Sequence, residues 1–199
     1  LVVMVPVRAD LDIESVAADV NVSGVAPGEL SISSVSGSVV AAAAPRKADV
    51  ETVSGSANLT LNSEDVDVST VSGSIVLRGR LNGDIDAETV SGRIEINVNG
   101  ERIRDLSAST VSGRADVSTA LAPAGEISME SVSGSLLLRL PKDVSAHVTG
   151  ESFSGGLKAT GVTIEKRRGP GASFTTTYGS GSGRVSLETF SGSAEVRVE

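Results

Sequence analysis

The sequence predicts an all-β fold in which one strand-forming unit is stacked on itself as a parallel β-solenoid of about ten coils. Three observations carry that expectation. A tetrapeptide of the form Thr/Ser-Val/Phe-Ser-Gly returns along the 199 residues, at Ser34–Gly37, Thr52–Gly55, Thr70–Gly73, Thr89–Gly92, Thr110–Gly113, Ser131–Gly134, Ser152–Gly155 and Thr189–Gly192. Apolar and polar residues alternate on both sides of each copy, which is the two-residue period of strands. Aromatic residues make up 2% of a chain that is 39% hydrophobic, so Val, Ile, Leu and Ala must fill a narrow interior.

Residues 1–23 hold a degenerate first coil. Leu11, Ile13 and Ser15 alternate, followed by Val16, Ala18, Val20 and Val22, with Ala18 where later copies carry Gly. The second coil runs Leu30, Ile32, Ser34, then Val35, Gly37, Val39 and Ala41; the third spans Val50 to Leu61 and the fourth Val66 to Leu77. Further coils follow at Ile85–Val98, Ala108–Val117 and Ile127–Leu140, punctuated by Asn99-Gly100, Pro123-Ala124-Gly125 and Pro141. The glycine-equivalent positions 18, 37, 55, 73, 92, 113, 134, 155 and 192 are separated by 18–21 residues, except for a last step of 37. That step is close to two periods, so a poorly matched tenth coil containing Phe174–Tyr178 is expected within it. The whole reads as one solenoid domain over 1–199, with an irregular segment 160–183 before the last coil.

Within each unit the apolar parity changes between Thr and Val. A parity change lets a chain bend while keeping its apolar residues on one side. On that reading Val16, Val35, Val53, Val71, Val90, Val111, Val132, Phe153 and Phe190 form an interior column. The Thr or Ser before each forms a second column at the bend, its hydroxyl available to the backbone or to a neighbouring coil. Gly turns the corner, either because φ is positive or because stacked backbones approach closely. A sandwich of repeated hairpins would share the alternation, but an invariant Ser-Gly phase beside variable turns fits stacked coils better. Ten coils at about 4.8 Å each make a rod on the order of 45 Å long. Phe153, Phe174, Tyr178 and Phe190 fall in the final quarter and suggest a capped C-terminal end.

The net charge is -8, and residues 1–100 carry 14 acidic and 6 basic side chains. Such a balance disfavours nucleic acid, whose phosphates are held by Lys and Arg, and gives no polybasic membrane patch. With no cysteine, disulfides and thiolate chemistry are excluded. Leu1–Val7 is apolar but too short to span a bilayer and lacks the pattern of a signal peptide. The absence of an initiating Met suggests a mature or trimmed fragment, with any anchor or signal outside it.

Acidic residues alternate on the first strand of several coils: Asp10, Asp12 and Glu14; Asp49 and Glu51; Asp65 and Asp67; Asp84, Asp86 and Glu88. Stacking would gather them into a solvated acidic ladder that divalent cations could relieve, although no dedicated calcium loop is visible. A regular ladder singles out no carboxylate pair for glycoside hydrolysis. His147 is the one histidine and lacks catalytic partners. Lys158 and Lys166-Arg167-Arg168 form a basic cluster, read as a solvated loop or as a contact for an acidic neighbour or anionic glycan. Gly179-Ser180-Gly181-Ser182-Gly183 lacks the Lys and following helix of a phosphate loop and reads as a flexible turn. No catalytic, metal-ligating or cofactor-binding residue is assigned.

The repeated Thr-Val-Ser-Gly, followed by Ser or Arg and an alternating strand, resembles the bacterial DUF4097 family, which carries an adhesin label. Thr175-Thr176-Thr177-Tyr178-Gly179, leading into Gly183–Gly192, is similar to that family's closing segment. The resemblance covers almost all of 1–199. It implies a right-handed β-helix and an extracytoplasmic setting in the bacterial envelope, periplasm or surface. Where the family often has Asp or Glu after Gly, this chain has Ser38, Ser56, Ser74, Arg93, Arg114, Ser135 and Ser193. The expected function is non-enzymatic: a structural or interaction protein of the envelope, adhesin-like, meeting a surface protein or glycan. A self-assembling scaffold resembling bactofilins is the alternative, and a polysaccharide-active enzyme is a more distant one.

Overall fold

The computed structural model describes residues 1–166 and 171–199. In chain order the strands are β1 (Leu11–Ser15), β2 (Val20–Val25), β3 (Glu29–Ser36), β4 (Val39–Ala43), β5 (Lys47–Ser54), β6 (Ala57–Thr110), β7 (Arg114–Ser131), β8 (Ser135–Leu140) and β9 (Ala146–Ser152). They continue as β10 (Gly156–Ala159), β11 (Glu165–Lys166), β12 (Ala172–Tyr178), β13 (Gly183–Thr189) and β14 (Ser193–Val198). The long β6 and β7 bend around corners without losing their ladders, so one label covers more than one coil. Strand pairing is parallel wherever one coil meets the next: Leu11 lies beside Leu30, Leu30 beside Ala48, and Ala48 beside Val66. The result is an open, all-β, parallel-stranded solenoid, as the period requires.

The interior is a column of aliphatic layers. Ile75, Leu77, Ile94, Ile96, Ile127 and Met129 are fully buried, and smaller Ala41 and Ala115 fit between larger neighbours, Val22 and Leu59 for the first and Ile94 and Leu136 for the second. Alternation explains the choice of residues: in β3, Leu30, Ile32 and Ser34 point inward while Ser31 and Ser33 stay in contact with solvent.

The corner differs from the sequence expectation. Val16, Val35, Val53, Val71, Val90, Val111, Val132, Phe153 and Phe190 are outside, not in an interior column. Alternation simply continues one residue further than the hydrophobicity suggested. Thr70 follows Val66 and Val68 as the last inward side chain, and Val71 is the outward one after it. Inward packing resumes at Ile75, two residues after Gly73, so the parity change belongs to the whole Val-Ser-Gly-Ser corner.

Glycine is required at that corner by close approach. A Cβ built on Gly73 would lie 1.8 Å from the carbonyl oxygen of Gly55, and one on Gly92 would lie 1.7 Å from that of Gly73. Backbones stacked this tightly leave no room for a methyl group. The first coil has Ala18 because no earlier corner lies beneath it, and its carbonyl is instead the one beneath Gly37.

The inward hydroxyls behave in two ways. Ser131, Ser152 and Thr189 accept a hydrogen bond from the N–H three residues on, at Gly134, Gly155 and Gly192, over 2.8, 2.8 and 3.0 Å. Ser34, Thr52, Thr70, Thr89 and Thr110 are equally buried but have no partner for the side-chain oxygen. At one of these corners the glycine donor is used elsewhere, Gly55 N–H donating to Ser72 O of the next coil at 3.3 Å.

The C-terminal end is not built in sequence order. β13 lies between β7 and β9, with Leu187 beside both Met129 and Gly150. β14 likewise pairs with β8 and β10. The corner glycines therefore stack in the order Gly113, Gly134, Gly192, Gly155. The last coil of the sequence is the penultimate coil of the rod. In place of the expected tenth coil, Ala172–Tyr178 runs antiparallel to β9 and covers its outer edge, with β11 beyond it. Phe174 packs over Gly150 and is 4% exposed, which makes this strand the aromatic cap. The turn from β12 to β13 is pinned by Ser145, whose hydroxyl lies 2.7 Å from that of Ser180 and accepts the Ser180 N–H at 3.0 Å.

Candidate interaction groove

Because each coil contributes one outward Val or Phe at the same phase, stacking converts nine separate residues into a single apolar stripe. Its order along the rod is Val16, Val35, Val53, Val71, Val90, Val111, Val132, Phe190, Phe153. Backbone bonds fix the sequence of steps: Val111 N–H donates to Thr89 O, Val132 N–H to Thr110 O, Phe190 N–H to Ser131 O and Phe153 N–H to Thr189 O. From Val35 onward these side chains are 47–56% exposed. Scattered exposed aliphatics are ordinary, but a continuous row is a feature that marks contact surfaces. At its C-terminal end the two phenyl rings stack with centroids 4.8 Å apart and planes inclined by 6°. That separation matches the spacing of adjacent strands, so the rings repeat the geometry of the backbone beneath them.

Two residues before the stripe runs a polar row. In stacking order it reads Ser69, Glu88, Ser109, Glu130, Glu188, Glu151, with Glu130 and Glu151 in register on either side of Glu188. Stripe and row together line a groove of about 700 Å³ that extends from Val71 to Phe153. Gly171 and Ala172, at the start of β12, line its far end. No Lys or Arg is among its described lining residues. Several described arginines pair acids elsewhere, such as Arg78 with Glu95 at 2.7 Å, Arg139 with Asp116, and Arg104 with Asp84.

The acidic ladder read from sequence is only partly assembled. Asp49 and Asp67 are neighbours, and Asp86 acts on Asp67 from the next coil. Ser31 separates Asp12 from Asp49, Ser33 separates Glu14 from Glu51, and Lys47 lies beside Asp65. Loss of hydration raises the carboxyl pKa of Asp67 and of Asp86 above its ordinary value. Asp49 and Asp86 add repulsion around Asp67, and Glu88 adds it beside Asp86. Among the described residues no group of three or more His, Cys, Asp or Glu could hold a metal ion. His147 Nδ1 lies 3.1 Å from the Thr177 hydroxyl, joining β9 to β12. Lys158 is exposed on β10. Of the basic run, Arg167 and Arg168 lie outside the described residues.

Sequence reasoning found the corner motif but missed the groove, because it placed the Val/Phe row inside. The rows of Glu130, Glu188 and Glu151 also come together only through the insertion of β13, which no period in the sequence announces.

The family model described as Toastrack DUF4097 matches residues 7–123, more than half of the chain. The chain belongs to the Toastrack DUF4097 family. No curated protein and no solved structure matches it. Family membership supports a structural or interaction role for this Toastrack protein.

Proposed function

We propose that this protein is an interaction scaffold of the bacterial cell envelope, adhesin-like, and that it holds a protein partner along the Val/Phe groove. One observation carries the reading: an unbroken apolar stripe is turned to solvent on a rod whose interior is already filled. β-branched side chains suit strands on either face, but polar Thr would satisfy that preference outside and Val would satisfy it inside. The sequence does the reverse at every corner. Retaining Ser or Thr inside and Val or Phe outside supports a surface selected for contact. The antiparallel β12 over one end of the rod speaks against growth into filaments from that end, which weakens the self-assembling alternative.

The test is a photo-reactive amino acid placed at Val111 in the full chain, expressed in the source bacterium, with Lys158 as a control position. A discrete cross-linked product from position 111, lost when Val132→Arg is added and absent from position 158, is the expected result. Equal products from both positions, or none from either, would refute the groove as the contact surface.

A further inference from the structure

The shape and charge of the groove narrow its occupant further, on the assumption that the groove is the contact surface proposed above. We infer that it takes a cationic amphipathic helix, whose apolar face lies on the Val/Phe stripe and whose Lys or Arg side chains reach the Glu row.

Backbone chemistry argues for a helix over a strand. The groove is on a sheet face, where the N–H groups of Val111, Val132, Phe190 and Phe153 already donate to the preceding coil. An added strand pairs through an edge with free donors and acceptors, and this face offers neither. A helix brings its own hydrogen bonds satisfied and needs only side-chain contacts.

Spacing agrees. The stripe repeats every ~4.8 Å, a helix presents its apolar face every ~5.4 Å, and alternate strand residues recur every ~6.8 Å. A helix laid along the rod therefore drifts by only about 0.6 Å per coil, against about 2 Å for a strand. Six coils line the groove, at Val71, Val90, Val111, Val132, Phe190 and Phe153. Their five steps span about 24 Å, the length of a helix of roughly 16 residues.

Charge selects the sign. The wall two residues from the stripe holds Glu88, Glu130 and Glu188, and no Lys or Arg is among the described lining residues. An acidic wall beside an apolar floor favours a partner that is basic on the matching flank and repels an acidic one.

The experiment uses the full chain and a fluorescein-labelled Leu/Lys peptide of about 16 residues with Leu on one helical face, followed by anisotropy. Controls are a scrambled peptide of the same composition and a Leu/Glu peptide of the same pattern. Tight binding of the patterned Leu/Lys peptide alone is expected. Val111→Ser with Val132→Ser should weaken it about tenfold or more, as truncation of central apolar anchors does. Val111→Thr with Val132→Thr keeps the β-branch and should weaken it in the same direction if the serine pair disturbs folding. Glu130→Gln with Glu188→Gln should cost several-fold at low salt and much less at about 1 M, where charges are screened beyond about 3 Å. Asp12→Asn with Glu64→Gln removes equal charge elsewhere and should leave affinity unchanged.

Equal binding of the scrambled peptide, equal effects of the two charge-removing pairs, or no binding at all would overturn the inference. If the peptide fails while cross-linking from position 111 succeeds, the groove remains a contact surface and only this occupant is wrong. Failure of both removes both.

Discussion

Replacing Gly73 by Ala tests the central construction rule of the rod. The new Cβ would sit 1.8 Å from the Gly55 carbonyl oxygen and 2.8 Å from its carbonyl carbon. An ordinary contact between such atoms is at least about 3.3 Å, so the two corners must separate by more than 1 Å or rotate apart. Both atoms in the clash belong to backbone, and no flexible side chain can swing away to relieve it. Overpacking typically costs about 1–3 kcal/mol, and the rigid stack places this position at the upper end. For a chain of this size that lowers the melting temperature by roughly 6–12 °C. Gly156→Ala is the matched control, since its Cβ would meet nothing within 4 Å. It should be neutral or slightly stabilising, because Ala has less conformational freedom to lose on folding. Far-UV circular dichroism during heating and in urea reads both variants. If Gly73→Ala melts with Gly156→Ala, close approach is not why the corner is glycine.

The buried hydroxyls give an opposed pair: Thr70→Val removes a hydroxyl with no partner and should add about 1 kcal/mol, whereas Ser131→Ala removes one bonded to Gly134 N–H and should cost about 1 kcal/mol. Urea midpoints moving in the same direction for both would contradict that assignment. Asp67 and Asp86 hold their protons to higher pH in the folded chain than in the unfolded one, so their ionisation opposes folding as pH rises through the raised values and fully at neutral pH. Asp67→Asn with Asp86→Asn should therefore be more stable than the parent at about pH 7, with the advantage shrinking toward about pH 4; urea titrations showing a constant difference would refute this. Phe174→Ala should cost about 3–5 kcal/mol at the cap, and hydrogen exchange should localise the loss to β9 and β12. Removing residues 179–199 takes out β13 and β14, so β9 and β10 should lose amide protection while β3 to β5 keep theirs; undiminished protection of β9 would mean it can pair with β7 directly.

The tetrapeptide period determined the stacked parallel coils, and alternation determined which of Leu30, Ile32, Val66 and Val68 would be buried. These follow from local rules, since strand side chains alternate and identical units bury their faces against one another. Val71 was misplaced because its hydrophobicity outweighed its phase. Counting in twos from Val66 and Val68 through Thr70 puts Val71 outside, so that signal was available. Two features lay beyond any such count. The choice between positive φ and close approach at Gly73 depends on how far away the Gly55 carbonyl is, a distance between coils. The meeting of Glu130, Glu188 and Glu151 beside stacked Phe190 and Phe153 depends on β13 entering between β7 and β9. A sequence period fixes what each coil looks like, but the order of coils is set by long-range pairing, and every coil edge offers similar backbone partners. Only the tertiary structure decides which edge the last coil meets, and with it the wall of the groove.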